Sequence, residues 1–330
     1  MKLQLLVPQY KETEDTIKNL LNSIVVQQNI DFNDLGVIIT NDGTNIHLSE
    51  DFLNSYPFKI EYYLAPHQGV SATRNYCLDH ATADYVMFCD GDDMFYNCCG
   101  LWLIFREFEK GFDTFLSYFT EEGRDKDGNP FYVDHKQDAT FVHGKVYRRQ
   151  FLIDNNIRWC PALTVHEDSY FNYLCQACSG EGQIKLCSVP FYLWKWNPNS
   201  VSRNDKKYIL KTFVKMIDST TMLCRELVSR GLMKNAREIA TNIVFDTYYL
   251  MNKDEWWEEE NKEYWDNTIL RFKLFFNEFE VLFLTIDETK KKEILKAQKM
   301  KKFDEGVTLE KITFNEWMKM VRETPLPTIE

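Results

Sequence analysis

Short apolar runs and helical stripes alternate through the first ninety residues. Leu3–Val7 is an apolar run stopped by Pro8, as buried strands are. Between Glu14 and Gln28, the residues Ile17, Leu20, Leu21, Ile24 and Val25 recur at helical spacing. A second run, Leu35–Ile39, ends at Thr40-Asn41-Asp42-Gly43-Thr44, and a third spans Phe58–Leu64. Ser71 to His80 predicts a short helix opening after Gly69, and Tyr85–Cys89 is the fourth run. This alternation predicts an α/β chain with a Rossmann-like, mostly parallel central sheet. Right-handed crossovers would bring all four strand exits to one edge. That edge would gather Tyr10, Asp42, Arg74 and the acidic residues after Cys89.

The pattern loosens after Gly100. Trp102 to Lys110 predicts a helix, Phe115–Thr120 a strand, and the polar run Gly123 to Pro130 a hairpin tip. Phe151 to Asn156 and Ser169 to Ala177 predict helices, the second opening after His166-Glu167-Asp168, where acidic side chains favour the positive end of the helix dipole. Val189–Trp196 predicts one more strand. From Lys206 to Met251 the chain is helical in pattern, with Gly231 its sole glycine, and more helix follows. The expected division is a sheet domain over residues 1–205 and a helical accessory domain over residues 206–330.

Charge and composition narrow the partners. The 330 residues are 44% apolar, enough for a sizeable core, and 15% aromatic. The net charge of −11 belongs to residues 1–205, which hold 17 basic and 28 acidic side chains; the remainder is balanced. Such a field argues against polyanion binding by the front part. A basic strip from Lys290 to Lys302 reads as a solvated helix face. Nine cysteines are too few and too odd in number for a disulfide scaffold, so a reducing, cytoplasmic setting is expected. Cys175 and Cys178 share a helix face and read as packing thiols rather than zinc ligands. No stretch is long and apolar enough for a spanning helix, and the start of the chain is too short in apolar character for a leader.

The chemistry concentrates at Cys89-Asp90-Gly91-Asp92-Asp93. A buried strand cannot hold three carboxylates in its interior, so they must stand at its exit, where open α/β sheets bind ligands. Like charges this close call for a cation. Hard oxygen ligands suit Mg²⁺ or Mn²⁺ bridged to a substrate phosphate. The residues therefore point to a metal-assisted phosphate or nucleotide-sugar site.

Several segments, in order, resemble the family 2 glycosyltransferases with their A-type nucleotide-sugar-binding fold. Val7-Pro8-Gln9-Tyr10 resembles the first strand end of the family, and Thr40-Asn41-Asp42-Gly43-Thr44 its second acidic turn. Gly69-Val70-Ser71-Ala72-Thr73-Arg74-Asn75 resembles the helix opening, Cys89 to Asp93 the metal motif, and His166-Glu167-Asp168 the later acidic pair. Lys195 through Ser200-Val201-Ser202-Arg203 resembles the phosphate-contacting loop. The likeness covers residues 1–205 only.

The resemblance implies an inverting transfer from a nucleotide-diphosphate sugar, with a UDP-sugar the expected donor. It places Asp92 and Asp93 on Mn²⁺ or Mg²⁺ and Asp90 on the ribose or the shared metal. It puts Arg74, Lys195 and Ser200 on the diphosphate, and Pro8, Tyr10 and Asp42 around the nucleobase. Asp168 becomes the general base, with Glu167 orienting the acceptor or the sugar. Asp42 could equally be a turn residue before Gly43, and His143 either a sugar contact or a core histidine. Trp256, Trp257 and Trp265 read as helix packing before sugar stacking. Glycan, lipid carrier, protein and modified nucleobase all remain compatible as acceptor, and the helical tail could pair two copies of the chain. Two rival readings are a binding module without turnover and a sugar-nucleotide pyrophosphorylase. The latter lacks its glycine-rich loop here, since Pro8-Gln9-Tyr10-Lys11-Glu12 follows the first strand.

Overall fold

The computed structural model describes residues 1–326 apart from 137, 199, 201–206 and 305–310, with the backbone alone of 301–304. The chain divides into two compact units, Met1–Ser200 and Val201–Glu330. The expected boundary between 205 and 206 lies outside the described residues.

The first unit runs β1 (Leu3–Gln9), α1 (Glu14–Val25), β2 (Leu35–Asp42), α2 (Glu50–Leu53), β3 (Lys59–Ala65), α3 (Val70–His80), β4 (Tyr85–Phe88) and β5 (Met94–Phe95). It continues through α4 (Gly100–Phe108), β6 (Thr114–Arg124), β7 (Pro130–His135), β8 (Lys145–Arg148), α5 (Arg149–Asp154), α6 (Glu167–Cys178) and β9 (Ile184–Trp194). One nine-stranded sheet has the order β3-β2-β1-β4-β8-β6-β9-β5, with β7 added beside β6. The strands β1 to β4 are parallel, with Leu5 opposite Val37 on one side and Met87 on the other. The mainly apolar composition of β1, β2 and β4 follows from this position, because an inner parallel strand is covered on both faces, whereas β3, at the edge, carries Lys59 and Glu61 and is only part-buried. Ile17, Leu20, Leu21 and Ile24 of α1 are fully buried in the same core as Leu3, Leu5 and Val7. Each such side chain contributes roughly 1.5–3 kcal/mol.

The antiparallel β8 inserts between β4 and β6, and the sequence pattern did not reveal it. It is four residues long and starts with a lysine that is fully buried. The predicted hairpin tip is present, as β6 ends at Arg124 and β7 begins at Pro130. Gly144 takes a left-handed φ of 67° just before β8, and a Cβ there would stand 2.3 Å from Ser117 Oγ. Only glycine lets the chain turn in that space.

The second unit is helical: α7 (Tyr208–Ser229), α8 (Met233–Leu250), α9 (Lys262–Thr285), α10 (Glu288–Asp304) and α11 (Phe314–Glu323). The helical pattern expected over Lys206 to Met251 is realised as two helices, separated at Gly231, whose φ is 74°. Trp317 is buried against Phe272, Tyr248 and Phe314, and Trp256 is buried beside Phe213. Trp257 is instead 44% exposed beside Trp265, with ring centroids 4.7 Å apart. The basic strip lies on α10, where Lys291 packs over the Phe283 ring and Lys292, Lys296 and Lys299 face water. All nine cysteines are unbridged. Among the described residues no helix is long and apolar enough to cross a membrane.

Candidate active site

Beyond β4 the chain turns at once, and Asp90, Asp92 and Asp93 stand at the exit of the strand as expected. They differ in surroundings. Asp93 is fully buried; its carboxylate accepts from the Tyr192 hydroxyl at 2.9 Å and from the Lys195 amide at 3.0 Å. Burial, then Asp90 and Asp92, push its carboxyl well above the ordinary range. Asp92 accepts from the Asn197 side chain at 2.7 Å, and burial with Asp90 also raises it. Asp90 is the exception: burial opposes its charge, but Arg74 beside it holds the carboxyl below the usual value. The Tyr192 hydroxyl also accepts from the Asp90 amide at 3.1 Å, so one β9 side chain ties both ends of the motif.

Arg74, on α3, is 3% exposed and binds three carboxylates. One terminal nitrogen donates to Asp90 at 3.0 Å; the other donates to Glu167 at 3.2 Å and to Asp168 at 2.7 Å. The guanidinium also lies 4.4 Å over the Trp159 ring. Asn75, next in sequence, holds that tryptophan by its backbone with bonds of 2.8 and 3.0 Å. The resemblance implies a diphosphate contact for Arg74; its terminal nitrogens here bond to Asp90, Glu167 and Asp168. Trp159 and Tyr192 lie in no motif of the sequence, Asn197 falls within the Lys195 to Ser200 loop with no role given to it, and Asn75 enters only as the last residue of the helix-opening motif. The Gly-x-x-x-x-Arg-Asn spacing includes Asn75 but carries no signal for Trp159, Tyr192 or Asn197.

Glu167 and Asp168 open α6 from a left-handed His166. Burial, then the adjacent Asp168, push Glu167 up to about 7. Asp168 is raised by burial despite Arg74, and its second oxygen accepts from the Val142 amide at 3.1 Å. Next to Val142, His143 reaches the cluster. Its ring is stacked among Phe141, Tyr192 and Trp194, and burial holds it neutral, down to about 3.

Asp90, Asp93 and His143 offer ligand atoms all within 4.8 Å of one another. His143 Nδ1 is 3.5 Å from Asp93 without a hydrogen bond to it, and it is buried with no partner. A buried orphan nitrogen of a neutral imidazole facing two carboxylates fits a divalent cation, which would give it the partner it lacks. The cluster thus differs from the expected Asp92 and Asp93 pair: Asp92 leans on Asn197, and Asp90 with His143 flank Asp93.

The expected nucleobase residues form a separate group. Tyr10 is 42% exposed and stacks on His67 with centroids 4.9 Å apart. His67 is held in turn by Asp42 at 2.9 Å. Asp42 also accepts from the Gln68 and Gly69 amides, so its carboxylate fastens the loop before α3 and is not the turn residue before Gly43. That turn belongs to Asn41, which accepts from the Thr44 amide at 2.7 Å. Pro8 is half-buried in β1 opposite Thr40. Lys195 joins the acidic group through its amide, and Ser200 donates its amide to Asn197 at 3.0 Å. Val201, Ser202 and Arg203 lie outside the described residues.

Residues 5–150 match the family model described as glycosyl transferase family 2. Residues 5–150 are a family 2 glycosyltransferase region. The protein is thus a glycosyltransferase, as the ordered motifs implied. Among solved structures, S. aureus TarS 1–349 aligns with a TM-score of 0.62 at 17% identity, covering 92% of this chain and 89% of that one. The same TarS portion in complex with UDP-GlcNAc aligns with a TM-score of 0.63 at 17% identity, with the same 92% and 89% coverage. At that identity the likeness carries the fold, a mixed, mostly parallel A-type sheet followed by helices. No curated protein matches the chain.

Proposed function

We propose that the chain transfers a sugar from a UDP-sugar to an acceptor hydroxyl, with inversion, by a single displacement at the exit of β4. The observation that carries this is the Arg74 hub. It joins the Asp90 carboxylate to the Glu167 and Asp168 carboxylates, so donor and acceptor chemistry meet within one bonded group. The bound UDP-GlcNAc of TarS supports a UDP-sugar donor.

Asp90, Asp93 and His143 would hold a divalent cation, with Mn²⁺ or Mg²⁺ the candidates. Such a cation supplies charge neutralisation to the departing diphosphate. Tyr10 and Pro8, with the His67–Asp42 pair behind, offer a flat apolar face for the nucleobase. Lys195 and Ser200 stand on the loop that follows β9 and are assigned to the diphosphate. Asp168 takes the proton of the acceptor hydroxyl as oxygen attacks the anomeric carbon and the bond to the diphosphate breaks. Its second oxygen stays on Val142 and its first on Arg74, so the carboxylate cannot swing away. Glu167 orients the acceptor beside it. Donor chemistry is assigned to residues 1–205, and an accessory role to residues 206–330, whose helices offer surface for the acceptor or a second copy.

A panel of nucleotide sugars read by melting temperature tests the donor. With Mn²⁺ present, a UDP-sugar at a hundred times its dissociation constant is expected to stabilise the protein by about 2.7 kcal/mol. EDTA should remove that gain. Asp93→Asn should lose the Mn²⁺ response, while Asp92→Asn should keep most of it. Equal donor binding with Mn²⁺, with EDTA and in Asp93→Asn would sink the cation reading.

A further inference from the structure

The loop that delivers Val142 and His143 is fastened to α6 at three successive points. Asp168, Asn172 and Gln176 stand four residues apart and so share one helix face. Asp168 accepts from the Val142 amide at 3.1 Å. The Asn172 side chain donates to the Thr140 carbonyl at 2.7 Å and to the Phe141 carbonyl at 2.9 Å. Gln176 donates to the Ala139 carbonyl at 3.3 Å.

Lys145 grips the same loop from β8. Its side chain is fully buried; Nζ donates to the Phe141 carbonyl and lies 3.8 Å from Asp138. Asp138 in turn accepts from the Thr140 and Phe141 amides at 2.7 and 2.8 Å. The Tyr147 hydroxyl donates to the Asn172 side-chain oxygen, which fixes the amide with its nitrogen toward the loop. Burial pulls the Lys145 ammonium down to about 8. A buried cation is costly to keep, and a methionine of similar length would fill the same space without that cost.

We propose that Lys145 and Asn172 are positioning residues that zip residues 138–142 onto α6, so that the Val142 amide locks Asp168 and His143 is set against Asp90 and Asp93. The inference rests on the reading of Asp168 as the general base. Misplacing a reacting group by about 1 Å can cost on the order of a hundredfold in rate.

Two variants on different elements test it in the full chain. Lys145→Met removes the charge at near-constant volume. Asn172→Asp keeps the shape but turns an oxygen toward two carbonyls. Hydrogen exchange at the Val142 amide is expected to speed up roughly tenfold or more in both. Turnover of UDP-GlcNAc with Mn²⁺, water standing in for the acceptor, should fall roughly tenfold or more. The calorimetric dissociation constant for UDP-GlcNAc should rise by clearly less than turnover falls, since His143 moves with the loop while Asp93 and Asp90 keep their own bonds to Tyr192, Lys195 and Arg74.

Wild-type protection of Val142 in either folded variant overturns the proposal. So does a loss of donor affinity as large as the loss of turnover, which marks a general structural role. If Lys145→Met does not fold, Asn172→Asp alone gives both readouts. Asp168→Asn is run beside them: wild-type turnover there overturns the base assignment, while the exchange at Val142 still judges the zipper.

Discussion

Replacing Arg74 with methionine is expected to destabilise the sheet unit by about 3 kcal/mol, because three part-buried carboxylates lose their common, fully buried counter-charge. A chain segment of this size shifts its melting temperature by roughly 2–4 °C per kcal/mol, so a fall on the order of 10 °C should be seen. The reason lies in the imbalance of the site. Burial opposes the charge on Arg74, but Asp168, Asp90 and Glu167 together more than offset it and hold the guanidinium protonated. Without it, Asp90 loses the partner that keeps it ionised, and Glu167 and Asp168 face each other at the start of α6. Trp159 also loses the cation over its ring. Arg74→Lys keeps the charge but not the planar fork, so it cannot serve Asp90 with one nitrogen and the acidic pair with another. An intermediate loss is expected. Added Mn²⁺ should not restore Arg74→Met, since Glu167 and Asp168 stand outside the candidate cation cluster. Thermal melts in EDTA and in Mn²⁺ read both effects. A change under 1 kcal/mol in Arg74→Met would mean that the hub does not organise the site.

What could be read in advance follows from how each signal is encoded. The parallel strands β1, β2 and β4 and their exits are legible because each is a largely apolar run with an abrupt stop, at Pro8, Asn41 and Asp90, and β3 is legible from its Tyr62-Tyr63-Leu64 stretch despite Lys59 and Glu61. The acidic start of α6 was legible for the same reason of composition. β8 was not, because four residues opening on a lysine resemble a loop, and the burial of Lys145 makes sense only once the 138–142 loop lies over it. Gly231 stands out in the sequence as the one glycine of that stretch, but the helical period on both sides of it does not tell a kink from a break. Roles were harder than places. The spacing located Arg74 and Asp42 at the right edge, yet it carries no information on what a side chain bonds to across the sheet. Arg74 meets acids 93 and 94 residues away, and Asp42 spends its oxygens on the loop at 67–69. His143 stayed ambiguous for a related reason: a buried histidine and a ligand histidine share one sequence signature, and only the orphaned nitrogen separates them.

Asp168→Asn is expected to lower turnover by roughly 10²–10⁴, the usual contribution of a positioned acid–base group. Donor affinity should hold, because the residue is placed on the acceptor side. Asparagine fills the same volume but offers one acceptor oxygen where two donors, Arg74 and the Val142 amide, now compete. A modest fall in melting temperature should therefore accompany the loss of rate and be too small to explain it. Glu167→Gln is the internal control, with a smaller expected drop. The pH profile gives an independent readout with a definite sign. Burial raises the Asp168 carboxyl above its ordinary value, and only the ionised form accepts a proton. The rate should thus rise with pH through a value above the usual aspartate range, and that acid limb should vanish in Asp168→Asn. The opposite ranking is also physically readable. Glu167 is pushed up to about 7, close to the pKa at which a base works best near neutral pH. If Glu167→Gln is inert while Asp168→Asn keeps turnover within tenfold of wild type, the proton goes to Glu167. Arg74 and Val142 would then be holding Asp168 as a fixed counter-charge to the hub.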